Sequence, residues 1–340
     1  MNRKQLVFII VALAVILAAV GLVINLNASN SSSTTAKRLT VNATFYPVAE
    51  FSRQVGGDKV EVHTLVPVGV SPHDYDPTAQ DIARIYDADV LVSNGAGMER
   101  WIAKLDTELH ANNVTHITAT DGIELLTRDA DTNHQHGSKP HSGDKHAEGY
   151  RHDEESHRHE HEHVSTDPHA WVDPVLAIRY VENIRDGLIT ADAANADYYR
   201  QRAEHYITQL QSLDSQFKTA LSSCKRNEIA TSHQAFNYLA NRYGLHSVSI
   251  SGLSPAEEPS PQQLTEIVAF VNQHDVKYIF FESLASPKLS ETIAAETGAQ
   301  TLLFDPMSSV PEQQVTAGTN YMSIQKDNVR ALQTALECSQ

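Results

Sequence analysis

The chain has 340 residues, of which 41% are apolar and 20% charged, and its formal net charge is −16 with histidine neutral. This length allows two ordinary domains or one large one, and the composition is that of a globular protein rather than a disordered or multi-span membrane protein. The acidic balance argues against a nucleic-acid partner, because phosphate binding needs a basic face. Two cysteines are too few to hold a zinc finger or an iron–sulfur cluster.

Residues 1–36 predict export from the cytoplasm. Arg3 and Lys4 precede an uncharged apolar run, Leu6–Ile24, which is followed by a polar Asn/Ser/Thr linker. As a helix this run would be roughly 28 Å long at 1.5 Å per residue, which nearly spans a bilayer core. No clear A-x-A cleavage site and no cysteine for lipid attachment follows it. An uncleaved membrane anchor is therefore favoured over a cleaved signal, and either interpretation predicts a periplasmic or cell-surface protein.

Strand-like and helix-like segments alternate over the next 80 residues. The predicted strands are Leu39–Phe45, Val60–Val66, Asp89–Ser93 and Val114–Thr118, and the helical patterns between them are Pro47–Val55, Thr78–Tyr86 and Glu99–Leu109. Such alternation predicts a parallel sheet covered by helices on both faces.

Residues 129–163 interrupt this pattern. The chain has 18 histidines, and the segment from His134 to His163 is crowded with them, interleaved with acids, Ser, Gly and Lys. A segment of this composition cannot bury enough apolar surface to offset chain entropy, so the sequence predicts a mobile loop. Its histidines would bind metal weakly and with variable stoichiometry; a solvated spacer of biased composition is the alternative.

Two helical patterns follow, Pro174–Ile189 and a long amphipathic one from about Asn195 to Ser223. Alternation then resumes, with strands Glu228–Ser232, Ser247–Ser251, Tyr278–Glu282 and Thr301–Phe304, helices Phe236–Tyr243, Gln262–Gln273 and Lys288–Glu296, and a last helix to about Glu337. The sequence therefore predicts two α/β lobes, each a parallel sheet flanked by helices, joined by a long helix. The predicted bounds are 37–173 for the N-terminal lobe, 174–223 for the helical region and 224–340 for the C-terminal lobe.

Four potential metal ligands fall in turns at the ends of these elements. His73 follows the second strand, His169 precedes a helix, and His233 and Asp305 each follow a strand. Ligands of open α/β sheets bind beyond the carboxyl ends of the strands, so these four residues could meet in a cleft between the lobes. Three imidazoles and one carboxylate saturate a tetrahedral zinc ion. Each residue alone is more often structural, and their joint placement is what indicates a metal site.

Glu282, at the end of another strand, is the remaining carboxylate expected near this cleft, as a partner of a ligand or as a structural residue. The two cysteines, Cys224 and Cys338, are expected to pair, because their number is even and the compartment is oxidising.

Several segments resemble, in chain order, the zinc/manganese-type (cluster A-I) metal solute-binding proteins of ABC transporters. They are PHDYDPT at 72–78, NGAGMERW at 94–101, DPHAWVDP at 167–174, TSHQAF at 231–236 and Phe304–Asp305. The resemblance implies two lobes bridged by one long helix, with a metal held between them by His73, His169, His233 and Asp305. The manganese branch usually has Glu as its third ligand, so His233 resembles the zinc branch. The missing lipid-attachment cysteine departs from the family pattern and leaves the mode of tethering open.

The resemblance implies a monomeric receptor outside the cytoplasm that binds Zn²⁺ and delivers it to the membrane permease of an ABC importer. A manganese-specific receptor of the same type and a surface adhesin remain alternatives. A zinc hydrolase is disfavoured, because the chain has no H-E-x-x-H or G-x-S-x-G motif and four protein ligands leave no open position on the ion.

Overall fold

The computed structural model describes Asn2 and residues 37–128, 165–284 and 287–339. The chain divides into two units, Met1–Arg38 and Leu39–Gln340, and the fold below is that of the second. No helix in the described ranges is both long and apolar enough to cross a membrane. Apart from Asn2, the predicted signal or anchor at 1–36 lies outside the described residues, as does the predicted His-rich loop at 129–163.

The N-terminal lobe is built on a four-stranded parallel sheet. In chain order its elements are β1 (Leu39–Ala43), α1 (Tyr46–Gly56), β2 (Val60–Thr64), α2 (Ala79–Tyr86), β3 (Val90–Ser93), α3 (Asp106–Ala111) and β4 (Thr115–Thr118). The strand order is β2-β1-β3-β4, which leaves β2 and β4 as the outer strands. The apolar side chains of β3, and Val41 and Ala43 of β1, are fully buried, as expected for a sheet covered on both faces.

One predicted helix of this lobe begins later than the sequence pattern indicated. The helix expected at Glu99–Leu109 is a short 3₁₀ turn, Ile102–Lys104, followed by α3. The buried Glu99 carboxylate accepts hydrogen bonds from Thr44 Oγ1 (2.6 Å) and from the backbone N–H of Asn94 (2.8 Å) and Gly95 (3.0 Å). Glu99 therefore stabilises the turn after β3, with Gly95 at a φ of 85°, instead of opening a helix.

A two-stranded antiparallel ladder, which the sequence did not predict, pairs the residues just before position 129 with those just after position 164. Its strands are β5 (Thr127–Arg128) and β6 (Ser165–Thr166), with Thr127 opposite Thr166. Strands of two residues carry too little periodicity to be recognised in a sequence. The ladder fixes the position of the chain immediately before Asp167.

Two helices follow the N-terminal lobe in the chain, and the second is the long helix that the sequence predicts between the lobes. Asp173 caps α4 (Pro174–Ala191) by accepting a hydrogen bond from the backbone N–H of Val175 at 2.8 Å. The next helix, α5 (Ala196–Leu221), has 26 residues and is therefore about 39 Å long. Its buried side chains recur every three or four residues, which is the amphipathic pattern of the sequence.

The C-terminal lobe repeats the topology of the first. Its elements are β7 (Glu228–Thr231), α6 (Asn237–Tyr243), β8 (His246–Ser249), α7 (Pro261–Gln273), β9 (Tyr278–Phe281), α8 (Lys288–Thr297), β10 (Gln300–Leu303), α9 (Glu312–Thr316) and α10 (Tyr321–Ala335). Its parallel sheet has the order β8-β7-β9-β10, which is the order of the first sheet counted along the chain. The predicted fold class, two parallel-sheet lobes joined by a long helix, is confirmed.

The two cysteines form the predicted disulfide. Cys224 lies three residues beyond α5 and Cys338 lies three residues beyond α10, and the bond joins positions 114 residues apart. It therefore ties the end of the long connecting helix to the end of the chain.

Candidate metal site

Three imidazoles from different parts of the chain converge at the junction of the lobes. His73 Nε2 lies 3.1 Å from His169 Nε2, and His233 Nε2 lies 3.3 Å from the same atom. The three potential ligand atoms all lie within 4.8 Å of one another. Zinc–imidazole bonds of about 2.0–2.1 Å place the nitrogens of a tetrahedral site about 3.3–3.4 Å apart. The two distances to His169 Nε2 are therefore close to the edges of such a site.

His169 is held by a carboxylate two residues earlier in the chain. Asp167 Oδ1 accepts from the His169 backbone N–H at 2.9 Å and pairs with His169 Nδ1 at 2.8 Å. Asn237 Nδ2 donates to the other oxygen of Asp167 at 2.9 Å. Because an ionised carboxylate only accepts, His169 Nδ1 carries the proton and Nε2 presents a bare lone pair to the cluster.

The segment that carries His169 is fastened to the C-terminal lobe. Trp171 Nε1 donates to the carbonyl of Pro306 at 2.7 Å, and Tyr321 Oη donates to the Trp171 carbonyl at 2.8 Å. Tyr238 Oη donates to the Asp167 carbonyl at 2.7 Å. His169 therefore has a fixed position relative to His233, although it lies well before that lobe in the sequence.

His233 has the same kind of carboxylate partner as His169. Glu282 Oε1 bonds both His233 Nδ1 and the Ser232 hydroxyl, and all three side chains are buried. The contact follows from the sheet, because β7 and β9 are neighbours and His233 and Glu282 each follow one of them. The His233 proton is thus on Nδ1, and its Nε2 lone pair faces that of His169.

Two facing lone pairs at 3.3 Å cannot hydrogen-bond to each other. A cation between them converts this repulsion into two coordinate bonds, and an outer carboxylate on each ring raises the basicity of the ligand nitrogen. This donor set fits a metal ion better than a hydrogen-bonded histidine cluster.

His73 is the outermost of the three rings. It lies in the loop between β2 and α2 and is half-buried, whereas His169 and His233 are buried. Burial, together with the neighbouring His169 and His233, lowers the pKa of His73 to about 2. Burial also lowers the pKa of His169, against the opposing effect of Asp167. Both rings are therefore neutral, as metal ligation requires.

Asp305, the fourth predicted ligand, does not join the three-histidine group. Its Oδ1 accepts from the Met307 backbone N–H at 2.7 Å and its Oδ2 accepts from the Ser283 hydroxyl at 3.1 Å. Burial raises the pKa of its carboxyl group. The structure therefore brings together His73, His169 and His233, with the Asp305 side chain turned to the loops that follow β9 and β10.

The sequence left Glu282 as either a partner of a ligand or a structural residue, and Asp167 was missed. The sequence did contain an indication of the role of Asp167. An acid two residues before a histidine ligand can bond the ring nitrogen that does not bind the metal, as Asp167 does with His169 Nδ1. The partner of His233 had no such local signal, since Glu282 is 49 residues away and depends on the pairing of β7 with β9.

Two α/β lobes with converging imidazoles at their junction are the arrangement of a metal-ion solute-binding protein. Residues 41–335 match the family described as "ZnuA: Zinc-uptake complex component A periplasmic". The chain belongs to this family, which confirms the resemblance seen in the sequence.

Named relatives agree with this assignment. The chain is 37% identical over 329 residues to the high-affinity zinc uptake system protein ZnuA of Bacillus subtilis, covering 97% of this chain and 96% of that protein. It is 39% identical over 297 residues to the zinc-binding lipoprotein AdcA of Streptococcus pneumoniae, covering 87% of this chain and 55% of that longer protein. The crystal structure of the Zn(II)-bound ZnuA-like domain of that AdcA matches with a TM-score of 0.71 at 36% identity, covering 88% of this chain and all of the domain.

A third relative is described as having two activities. The laminin-binding protein Lmb of Streptococcus agalactiae, whose structure is described as that of "a bifunctional protein with adhesin and metal transporting activity", matches with a TM-score of 0.74 at 29% identity. The match covers 88% of this chain and all of that one.

Proposed function

We propose that this protein is a zinc receptor that works outside the cytoplasm and hands the ion to the permease of an ABC importer. The observation that carries the proposal is the convergence of three imidazoles. His73 Nε2 and His233 Nε2 each lie at about zinc-site spacing from His169 Nε2, and two of the rings are backed by buried carboxylates. Membership in a zinc-uptake family and the Zn(II)-bound relative support zinc as the cargo. These relatives are described as binding and uptake proteins, which favours capture over catalysis.

The proposed ligands are His73, His169 and His233 through Nε2, with Asp305 as the fourth. Asp305 follows β10 at the same edge of the sheet as His233 follows β7, so both residues border the cleft. Its carboxylate would exchange the Ser283 hydroxyl for the metal. Nitrogen-rich coordination favours zinc over manganese, because manganese prefers sites dominated by oxygen.

The first experiment measures metal content and affinity. Protein purified without metal-affinity resin should carry one tightly bound zinc by mass spectrometry and should keep it against excess manganese. His233→Ala should weaken zinc binding by at least about 100-fold, because it removes one of the ligands. The control is His246→Ala, which changes an exposed histidine on β8 and should leave the affinity unchanged. Equal zinc affinity in the parent and in His233→Ala would overturn the ligand set.

The proposal includes a monomer that reaches the membrane through its N-terminal segment. Intact protein should sediment with membranes if Leu6–Ile24 is retained as an anchor, whereas a mature N-terminus within the Asn/Ser/Thr linker would show a secreted form. The monomer is tested by sedimentation equilibrium with and without zinc.

Surface adhesion is a second candidate function, supported by the similarity to Lmb. Binding of the purified protein to immobilised laminin, measured against a metal-site variant such as His233→Ala, would show whether adhesion exists and whether it depends on zinc. Saturable binding that both proteins share would add adhesion to zinc capture, and no binding would remove this candidate.

A further inference from the structure

A cleft of about 750 Å³, separate from the three histidines, lies along the outer strand of the N-terminal lobe. We call it the β2 groove. One wall is Val62–Val68, the second is Ser308–Val310 with Glu312 and Val315 of the C-terminal lobe, and α1 contributes Tyr46 and Arg53. Both lobes therefore border the groove, and its volume is within the range of protein binding clefts.

Two loops that border the groove also carry residues of the proposed metal site. The loop from Leu65 to Thr78 carries His73, and the opposite wall begins at Ser308, soon after Asp305 in the same loop. The Gly69 backbone N–H donates to Ser309 Oγ at 3.1 Å and links the two. A ligand that spreads the groove would break this bond and move the loop that carries His73.

The mouth of the groove exposes apolar side chains. Val68 and Val70 are 57% and 36% exposed, and within the described residues only Leu289 and Leu303 are large apolar side chains of comparable exposure. Val68 lines the groove, and Val70 lies two residues further along the same loop. Such a pair beside a cleft is a feature of interaction surfaces.

The groove also offers a cation in an acidic protein. The half-buried Arg53 donates to Thr64 Oγ1 at 3.3 Å, and its charge also acts on the buried Glu50 one turn earlier on α1. The other arginine of the lining, Arg84, is paired with Asp81 at 3.5 Å. Asp87 and Glu312 also line the groove, so Arg53 is the arginine there with which an acidic side chain of a partner could pair.

Two hydroxyls in the walls are incompletely satisfied. Tyr46 Oη and Ser308 Oγ are buried and have no hydrogen-bond partner. A buried hydroxyl without a hydrogen-bond partner costs free energy. A bound segment that supplied hydrogen bonds to these two hydroxyls would therefore be favoured.

We propose that the β2 groove docks the extracytoplasmic face of the permease, through a segment in which an acidic side chain is flanked by apolar ones. This inference rests on the proposed function. The acid would pair with Arg53 and the apolar residues would cover Val68 and Val70. Because docking would separate Gly69 from Ser309, it would draw His73 away from the other two ligands and lower the affinity for zinc where the ion is needed. A free small anion would use Arg53 but would leave the exposed valines uncovered.

The test compares groove variants with matched surface variants in the full chain. The groove variants are Arg53→Glu and the double substitution Val68→Ser/Val70→Ser. The controls are Arg200→Glu, an exposed arginine on α5, and Leu289→Ser/Leu303→Ser, which removes the comparable apolar side chains elsewhere. Zinc affinity is measured on each purified protein, and ⁶⁵Zn uptake is measured in cells that carry one variant as their sole receptor, together with the permease of the same organism's zinc importer.

Both groove variants should bind zinc within about threefold of the parent, which also shows that they fold, while uptake falls at least about tenfold; both controls should retain uptake. Capture of the purified permease should be lost with the same two variants. Normal uptake by the groove variants would overturn the proposal, and so would an equal loss in the controls. Weakened zinc binding in the groove variants would assign the groove to the metal site instead. Loss of laminin binding with normal uptake would assign it to adhesion.

Failure of the proposed function has a different signature. In that case the parent itself would bind no zinc or support no uptake, and the docking proposal would fall with it. A parent that is active, with groove variants that are equally active, removes the docking proposal alone.

Discussion

Two of the three clustered imidazoles are oriented by a carboxylate on the ring nitrogen that faces away from the cluster. Asp167 serves His169 and Glu282 serves His233, whereas His73 has no carboxylate partner in the described structure. The buried pairs have fixed tautomers and orientations. His73, in a loop and half-buried, is therefore the ligand whose position is least determined before the metal binds.

The role of Glu282 can be separated from that of a ligand by substitution. Glu282→Ala removes the charge and the acceptor behind His233, and we expect zinc affinity to fall about 10–100-fold, as for other outer carboxylate partners. Glu282→Gln retains an acceptor without the charge, so its zinc affinity should fall less than that of Glu282→Ala. Competition with a fluorescent zinc chelator measures both variants. A Glu282→Ala affinity equal to the parent's would show that the ring is held by its packing alone.

The lowered pKa values of His73 and His169 predict a shallow pH profile. Three ordinary histidines, each with a pKa near 6.5, would cost zinc affinity up to about 1,000-fold per pH unit in acid, because each must lose its proton. Burial lowers the pKa of two of these rings, so they add little to the pH dependence. As the pH falls from 6.5 to 5.5, affinity should therefore fall far less than about 1,000-fold. Calorimetry in buffers of different ionisation enthalpy counts the protons released, and a count at pH 6 equal to that of three ordinary histidines would contradict this.

At the scale of elements, long periodic segments could be predicted and short or side-chain-determined ones could not. The helix α5 is recognisable because its buried residues keep one spacing through 26 residues. The prediction that a helix begins at Glu99 is wrong, because the Glu99 carboxylate accepts hydrogen bonds from the turn before it. The spacing of apolar residues gives no indication of such a contact. The β5–β6 ladder has too few residues to form a pattern. The three histidines could be located because they lie next to predicted strands and helices. The orientation of Asp305 could not be predicted, because it depends on hydrogen bonds to Ser283 and Met307.

The disulfide joins the ends of two elements, and its removal should affect stability rather than zinc binding. It closes a loop of 114 residues, which contributes at most about 4–5 kcal/mol by restricting the unfolded chain. The double variant Cys224→Ala/Cys338→Ala should therefore unfold at lower denaturant concentration while its zinc affinity is unchanged, since neither cysteine belongs to the cluster. Thiol titration of the unreduced, denatured parent should find no free thiol. Two free thiols per chain would show that the bond does not form.

At the scale of the molecule, the connection between the lobes explains how ligands so far apart in sequence meet. The segment from Asp167 to Asp173 follows the N-terminal lobe in the chain and is hydrogen-bonded to both lobes. Asn94 Nδ2 donates to the Pro168 carbonyl at 3.0 Å, and the other bonds go to residues of the C-terminal lobe. His169 is therefore held where the two lobes meet, within reach of His73 from one lobe and of His233 from the other.

The His-rich segment is the remaining feature of the whole chain, and the β5–β6 ladder shows where to remove it. Because Thr127 and Thr166 are paired, Arg128 can be joined to Ser165 by a two-residue Asn-Gly turn, which suits a two-residue hairpin connection. This deletion of residues 129–164 should leave the affinity of the three-histidine site unchanged, because its ligands and their carboxylate partners all lie outside the segment. It should reduce the number of weakly bound zinc ions, since the imidazoles of that segment are removed. Calorimetric titration resolves the two classes, and a matched variant that replaces the segment with a Gly/Ser linker of equal length separates histidine content from loop length. A large loss of affinity at the tight site in both variants would mean that the segment supplies a ligand, and the four-ligand proposal would have to be revised.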